Sequence, residues 1–129
     1  MTMKDFMIRC LFLMAFLSMA VGCGKYELEI SPYYNWCDNY HGKRFVLNTT
    51  RKIHKIELWA YDNPEPTTVE IDRNTKYHKE DCGWFVFEYD QGLLYVDVSR
   101  NRSNETRVLV IQVFGTSGTD YAIIKQYDE

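Results

Sequence analysis

The chain has 129 residues, 46% of them hydrophobic and 16% aromatic, with 15 basic against 18 acidic side chains and a formal charge of −3. That length supports one domain with a modest core. The acidic balance argues against a nucleic-acid binder, which needs a basic patch or stripe to meet phosphates.

Residues 1–22 read as an export signal. Lys4 and Arg9 give a positive head, Leu11 to Val21 an apolar run broken only by Ser18, and Ala20-Val21-Gly22 a small-residue approach to Cys23. The run from Cys10 to Gly22 is shorter than the ~20 apolar residues that cross a bilayer. It also has no polar face, as a surface helix would. The segment resembles a bacterial lipoprotein signal. That implies a lipidated Cys23 as the first mature residue, a tether over 23–29, and a palmitate-bearing protein of the cell envelope, an outer-membrane lipoprotein facing periplasm or cell surface. The lipoprotein pattern prefers Leu where Ala20 stands. The other reading is cleavage after Ser18-Met19-Ala20 by an ordinary signal peptidase, leaving Cys23 a free thiol near the new terminus.

From residue 30 to 129 the periodicity is that of strands. Leu28 and Ile30 alternate with Glu27 and Glu29 until Ser31-Pro32 breaks the run. Phe45-Val46-Leu47 is a short apolar strand. The basic residues Lys43, Arg44, Arg51, Lys52 and Lys55 flank it, as charged strand ends rather than a polyanion site. Ile56, Leu58 and Ala60 alternate with Glu57, Trp59 and Tyr61, and Asp62-Asn63-Pro64-Glu65-Pro66 is a turn. Val69 and Ile71 mark another short strand. Trp84 to Tyr89 is aromatic and β-branched, and Asp90-Gln91-Gly92 turns it into Leu93 to Ser99. Val108 to Phe114 is apolar on both faces, which predicts a central strand, and Gly115 to Thr119 turns it into Tyr121 to Ile124. No helical period runs through the mature chain. About seven or eight short strands with turns between them predict an immunoglobulin-like antiparallel β-sandwich.

Cys10 belongs to the signal and Cys23 to the anchor, leaving Cys37 and Cys82. In an exported protein such a pair predicts a disulfide, worth ~4 kcal/mol in the chain-entropy picture. Cys37 and His41 with His78 and Cys82 form a mirrored set of the kind zinc uses, the alternative to the disulfide.

The C-terminal half is similar to the BACON domain, on Trp84-Phe85-Val86, Gly92, Val96-Asp97-Val98 with Asn101, Thr106 to Val110, and Ile123-Ile124-Lys125-Gln126. That family is an immunoglobulin-like sandwich common in envelope lipoproteins and glycan-utilisation proteins. The resemblance implies carbohydrate binding and supplies no catalytic residues. Apart from it, Asn101 suits a left-handed strand exit, Arg107 can lay its stem over apolar surface, and Gln126 can satisfy backbone groups at a strand end.

The candidate ligand contacts are Trp36, Tyr40, Trp59 and Tyr61, because aromatic faces meet sugar C–H surfaces. The other reading of these rings is that they cover the ends or second face of the sandwich. Asp62, Glu65, Glu70 and Asp72 match no calcium loop. Cys37 with His41, and Glu88 with Asp90, are the only hints of a catalytic pair. The expectation is therefore a non-catalytic envelope lipoprotein without cofactor, held to the membrane through Cys23, that binds a glycan. The alternative is a structural or protein-interaction lipoprotein of an envelope complex.

Overall fold

The computed structural model describes residues 27–39 and 42–128. The signal, Cys23, Tyr40 and His41 lie outside them. Ten strands follow one another: β1 (Ile30–Ser31), β2 (Tyr34–Cys37), β3 (Lys43–Thr49), β4 (Lys55–Ala60), β5 (Thr67–Glu70), β6 (Tyr77–Asp81), β7 (Phe85–Asp90), β8 (Leu93–Val98), β9 (Arg107–Gly115) and β10 (Gly118–Gln126). The first sheet runs β1-β3-β8-β7-β6 and the second β2-β10-β9-β4-β5. Two five-stranded sheets in this order are the layers of an immunoglobulin-like sandwich.

The core follows from alternation. In β4, β7 and β8 every second residue points inward and is buried: Ile56 and Leu58, Phe85 and Phe87, Leu94 and Val96. They meet Leu47, Leu109, Ile111 and Ile124 from the remaining strands. Antibody domains pin the same layers with a disulfide. Here the two layers meet through hydrocarbon, with Phe45 and Leu47 on β3 and Leu109 and Ile111 on β9 all buried. Burying one such side chain contributes about 1.5–3 kcal/mol.

Two strands have no counterpart in the sequence reading. β2 turns Asn35 and Cys37 inward in place of large apolar residues, and β6 reads Tyr-His-Lys-Glu-Asp with none of its residues fully buried. Both are sheet edges, where only one flank packs and the hydrophobic signal thins. β2 also departs from the antiparallel rule. The chain leaves β1 in the first sheet, passes the cis Ser31-Pro32 peptide, and joins the second sheet parallel to β10, Tyr34 opposite Ile123 and Trp36 opposite Lys125.

The turn between β7 and β8 takes positive φ at both Gln91 (48°) and Gly92 (93°), the signature of a two-residue hairpin whose twist matches its strands. Gly115 is needed for another reason. A Cβ there would lie 2.6 Å from the Lys52 carbonyl oxygen, so the absent side chain lets the β3–β4 loop rest against the end of β9.

At the opposite end a polar lock joins the sheets. The fully buried Gln126 of β10 donates from Nε2 to the Ser99 carbonyl beyond β8 (2.8 Å). Its Oε1 accepts from Arg107 Nη1 (3.1 Å), and the same nitrogen reaches the carbonyls of Ser99 and Arg100, both at 3.3 Å. The Arg107 guanidinium lies over the Trp84 ring, 5.4 Å from its centroid. Buried Asn101 donates to the Glu105 carbonyl (2.8 Å) and accepts from Ser103, folding the β8–β9 loop on itself. Arg107 and Gln126 thus take the structural roles expected of them, whereas Asn101 corrects the expectation: it has no positive φ and acts through its side chain within its own loop.

Candidate functional site

The two outer faces of the sandwich differ in kind. On the first sheet, Arg44 of β3 lies between Glu88 (3.9 Å) and Asp97 (3.7 Å) and over the Tyr95 ring, and Tyr77 donates to Glu88 (3.1 Å). This face carries a network of charges beside exposed Val46, Tyr77 and Leu93. The outer face of the second sheet is richer in rings and aliphatic side chains, with the Lys55–Glu57 pair (3.5 Å) on β4. One cross-strand row runs Trp59, Val110, Ile123 and Tyr34 over β4, β9, β10 and β2. The neighbouring row places Val108, Lys125 and Trp36 together.

Val108 and Val110 are buried although they face outward, because large neighbours close over them. This is why β9 reads as apolar on both faces. Gln112 is buried in the same way between Glu57 and Tyr121, and its Oε1 has no hydrogen-bond partner among the described residues. Trp59 is half-buried, its indole N–H given to Glu57 (3.1 Å).

Toward the β2 edge the rings stand in the open: Trp36 is 58% exposed, Tyr33 49%, Tyr34 46% and Tyr127 40%. Trp36 and Tyr127 meet edge to face at 6.2 Å, and Tyr33 and Tyr121 do the same at 5.4 Å. Their hydroxyls pair as well, Tyr34 with Tyr127 (3.1 Å) and Tyr33 with Tyr121 (3.4 Å). The hydrogen bond shared with Tyr127 and then burial raise the Tyr34 phenol above its ordinary range. Burial first and Tyr33 second push Tyr121 up to about 12. Both phenols therefore stay uncharged at any neutral pH. Lys125, over the Tyr127 ring at 4.9 Å, supplies a cation to this strip.

The predicted contact residues separate. Trp36 is the most exposed ring of the strip, and Trp59 contributes its far side. Tyr40 lies outside the described residues. Tyr61 corrects the expectation: it is 9% exposed and packs on Trp84 at 5.9 Å, because β4 ends at Ala60 and the chain turns in toward the core. Tyr121, Ile123, Lys125 and Tyr127 were missed as site residues. Their period of two along β10 was the available signal, readable only with β2 known to lie beside them.

No family model matches the chain, and no curated protein matches it either. Among solved structures it is similar to a protein from Bacteroides thetaiotaomicron determined by NMR, with TM-score 0.57 at 15% identity over 84% of this chain and 92% of that one. Titin domain M4 superposes with TM-score 0.47 at 12% identity, over 83% of this chain and 100% of that one. Titin M7 gives 0.46 at 12%, over 84% and 99%. At such identity the Bacteroides structure shows a shared β-sandwich fold and says nothing of activity.

The cysteines also correct the sequence reading. Among the described residues Cys37 and Cys82 are both free. Cys37 ends β2, an edge of the second sheet on the side where β1 touches β10, while Cys82 follows β6 at the far edge of the first sheet, beside Thr67 of β5. The sandwich keeps the two thiols apart, so the predicted disulfide is not formed. The zinc set fails for the same reason. His78 shares its edge with Cys82 and pairs with Glu80 (2.8 Å), His41 lies outside the described residues, and no metal-holding group of three or more His, Cys, Asp or Glu occurs among the described residues. Asp62 and Glu65 precede β5 while Glu70 and Asp72 lie at its other end, so these acids do not converge.

Burial is the first cause raising both thiols above their ordinary range, and protonated thiols are poor nucleophiles. The processed, unreduced protein should therefore show both thiols reacting with a thiol reagent in denaturant and only slowly in the native state at pH 7.5. Neither reacting in denaturant would restore the disulfide.

Proposed function

We propose that this protein is a non-catalytic module of the cell envelope, anchored through a lipidated Cys23, that holds a partner protein against the aromatic outer face of its second sheet. The observation that carries the reading is the contrast between the two outer faces. One is cross-linked by Arg44, Glu88 and Asp97; the other exposes Trp36, Tyr33, Tyr34 and Tyr127 beside outward valines. Protein interfaces are enriched in Trp and Tyr at their centres and depleted in Glu and Asp. An exposed patch of contiguous apolar surface marks an interaction site. The leader and its Cys23 support the anchor, and the BACON-like tail agrees with an envelope setting.

A second reading, glycan binding, draws on the same rings and on that resemblance. Sugar stacking favours ring faces lying flat toward the ligand. The edge-to-face pairs at 71° and 67° present steps instead of a plane, which favours a protein. Capture of the anchored chain from its own membranes should retain one envelope protein in fixed ratio, and the Trp36→Ala, Tyr127→Ala chain should lose it. Retention of polysaccharide in place of protein, lost in the same variant, would select the glycan reading.

A further inference from the structure

The chain enters the domain at a defined place. Glu29 N–H donates to Thr50 Oγ1 (2.9 Å), Thr50 N–H to the Glu29 carbonyl (2.9 Å), and Thr50 Oγ1 to the Glu27 carbonyl (3.2 Å). Residue 27 is therefore fastened to the β3–β4 loop. Cys23 lies four positions earlier in the sequence, a leash of at most ~14 Å. An anchor at Cys23 would hold this end of the sandwich at the bilayer surface.

Beside that entry is an open cleft of about 760 Å³ between the β3–β4 loop, the β5–β6 loop and the β7–β8 hairpin. Its lining carries Arg51, Lys52, His54 and Arg73, with the Thr75 hydroxyl and the Tyr89 ring. Among the described residues the one carboxylate in the lining is Asp72, whose Oδ1 already accepts from Asn74 N–H (2.7 Å) and Thr75 Oγ1 (3.1 Å). Contact of the Lys52 carbonyl with Gly115 backs the loop against β9. The linear basic cluster of the sequence is thus divided by β3. Lys43 and Arg44 sit at the far end over aromatic rings, Lys55 pairs with Glu57 (3.5 Å), and Arg51 and Lys52 line both the cleft and a neighbouring hollow with Thr116 and Ser117. A basic lining limited to these loops suits one compact anion better than an extended polyanion.

We propose that this cleft binds a phosphate group, and that in the anchored protein this is the phosphate of a phospholipid headgroup. Cation pairs of this kind make the stronger hydrogen bonds to phosphate. Binding would fix the domain upright, with Trp36 and Tyr127, at the other end of β2 and β10, directed away from the membrane. The lipid source rests on the anchor reading of Cys23; the phosphate chemistry does not.

The test uses the lipoprotein purified from its membranes, followed by the amide NMR shifts of residues 50–54 and 72–76. In non-ionic micelles, inorganic phosphate should shift these amides saturably, and Lys52→Ala with Arg73→Ala should weaken that binding at least ~10-fold. The charge-preserving Lys52→Arg should retain it. In nanodiscs, phosphatidylglycerol should produce the shifts and phosphatidylcholine should produce them weakly. No response to phosphate in micelles overturns the site. A response to phosphate with none to phosphatidylglycerol overturns the headgroup assignment. Intact mass of the same sample reports the anchor separately: an unmodified Cys23 would sink the anchor reading while leaving the micelle result valid.

Discussion

Replacing Gln126 by leucine should cost the domain about 2–4 kcal/mol, although the two side chains have similar volume and the position is fully buried. The loss is electrostatic. Gln126 Oε1 is the nearer side-chain acceptor for Arg107 Nη1, at 3.1 Å against 3.5 Å for Ser99 Oγ, and Nε2 satisfies the Ser99 carbonyl at 2.8 Å. Leucine would remove both, leaving a part-buried guanidinium with backbone carbonyls at 3.3 Å as its remaining close acceptors. An unpaired buried donor costs ~1–3 kcal/mol, and more when charged. The two sheets would lose the polar tie at this end, and Arg107 its fixed position over Trp84. With a urea slope of ~1–1.5 kcal/mol/M for a domain of this size, the unfolding midpoint should fall by roughly 2 M. A midpoint within ~0.3 M of the parent would mean that the lock contributes little.

The second large effect concerns binding. Trp36→Ala together with Tyr127→Ala should lower affinity for the captured partner at least ~100-fold while changing stability by under ~1 kcal/mol. Trp36 is 58% exposed and Tyr127 40%, so neither holds up the core. They pack on each other edge to face at 6.2 Å, and such aromatic anchors carry most of an interface's energy. Val46 is 50% exposed on the charged first sheet and supplies the control: Val46→Ala should leave affinity unchanged. Isothermal titration with the purified partner reads all three. Equal losses from the Val46 and Trp36 variants would point to a general surface effect.

Much of the fold was legible because the central strands carry their environment in their pattern. β4, β7 and β8 alternate strictly, which fixes their inner and outer faces without any knowledge of neighbours, and β9 is apolar on both faces from Val108 to Ile111, which marks it as central. β2 and β6 were hidden because an edge strand buries little: Asn35 and Cys37 are what β2 turns inward. The site was only half legible for a related reason. Trp36 and Tyr127 are remote in sequence and become one strip only through the parallel pairing of β2 with β10. Tyr61 shows the opposite failure, since strand alternation was extended one residue past the end of β4. The disulfide expectation came from compartment and cysteine count, and neither contains the information that Cys37 and Cys82 occupy opposite edges of different sheets.

One measurement bears most directly on the aromatic face as the working surface. A photo-crosslinking residue is placed at Tyr34, on the second sheet, or at Val46, equally open on the first, and irradiated in the intact envelope. A discrete adduct from position 34 and none from position 46 is the expected result. An adduct from position 46 with none from position 34 would contradict the assignment of the binding face.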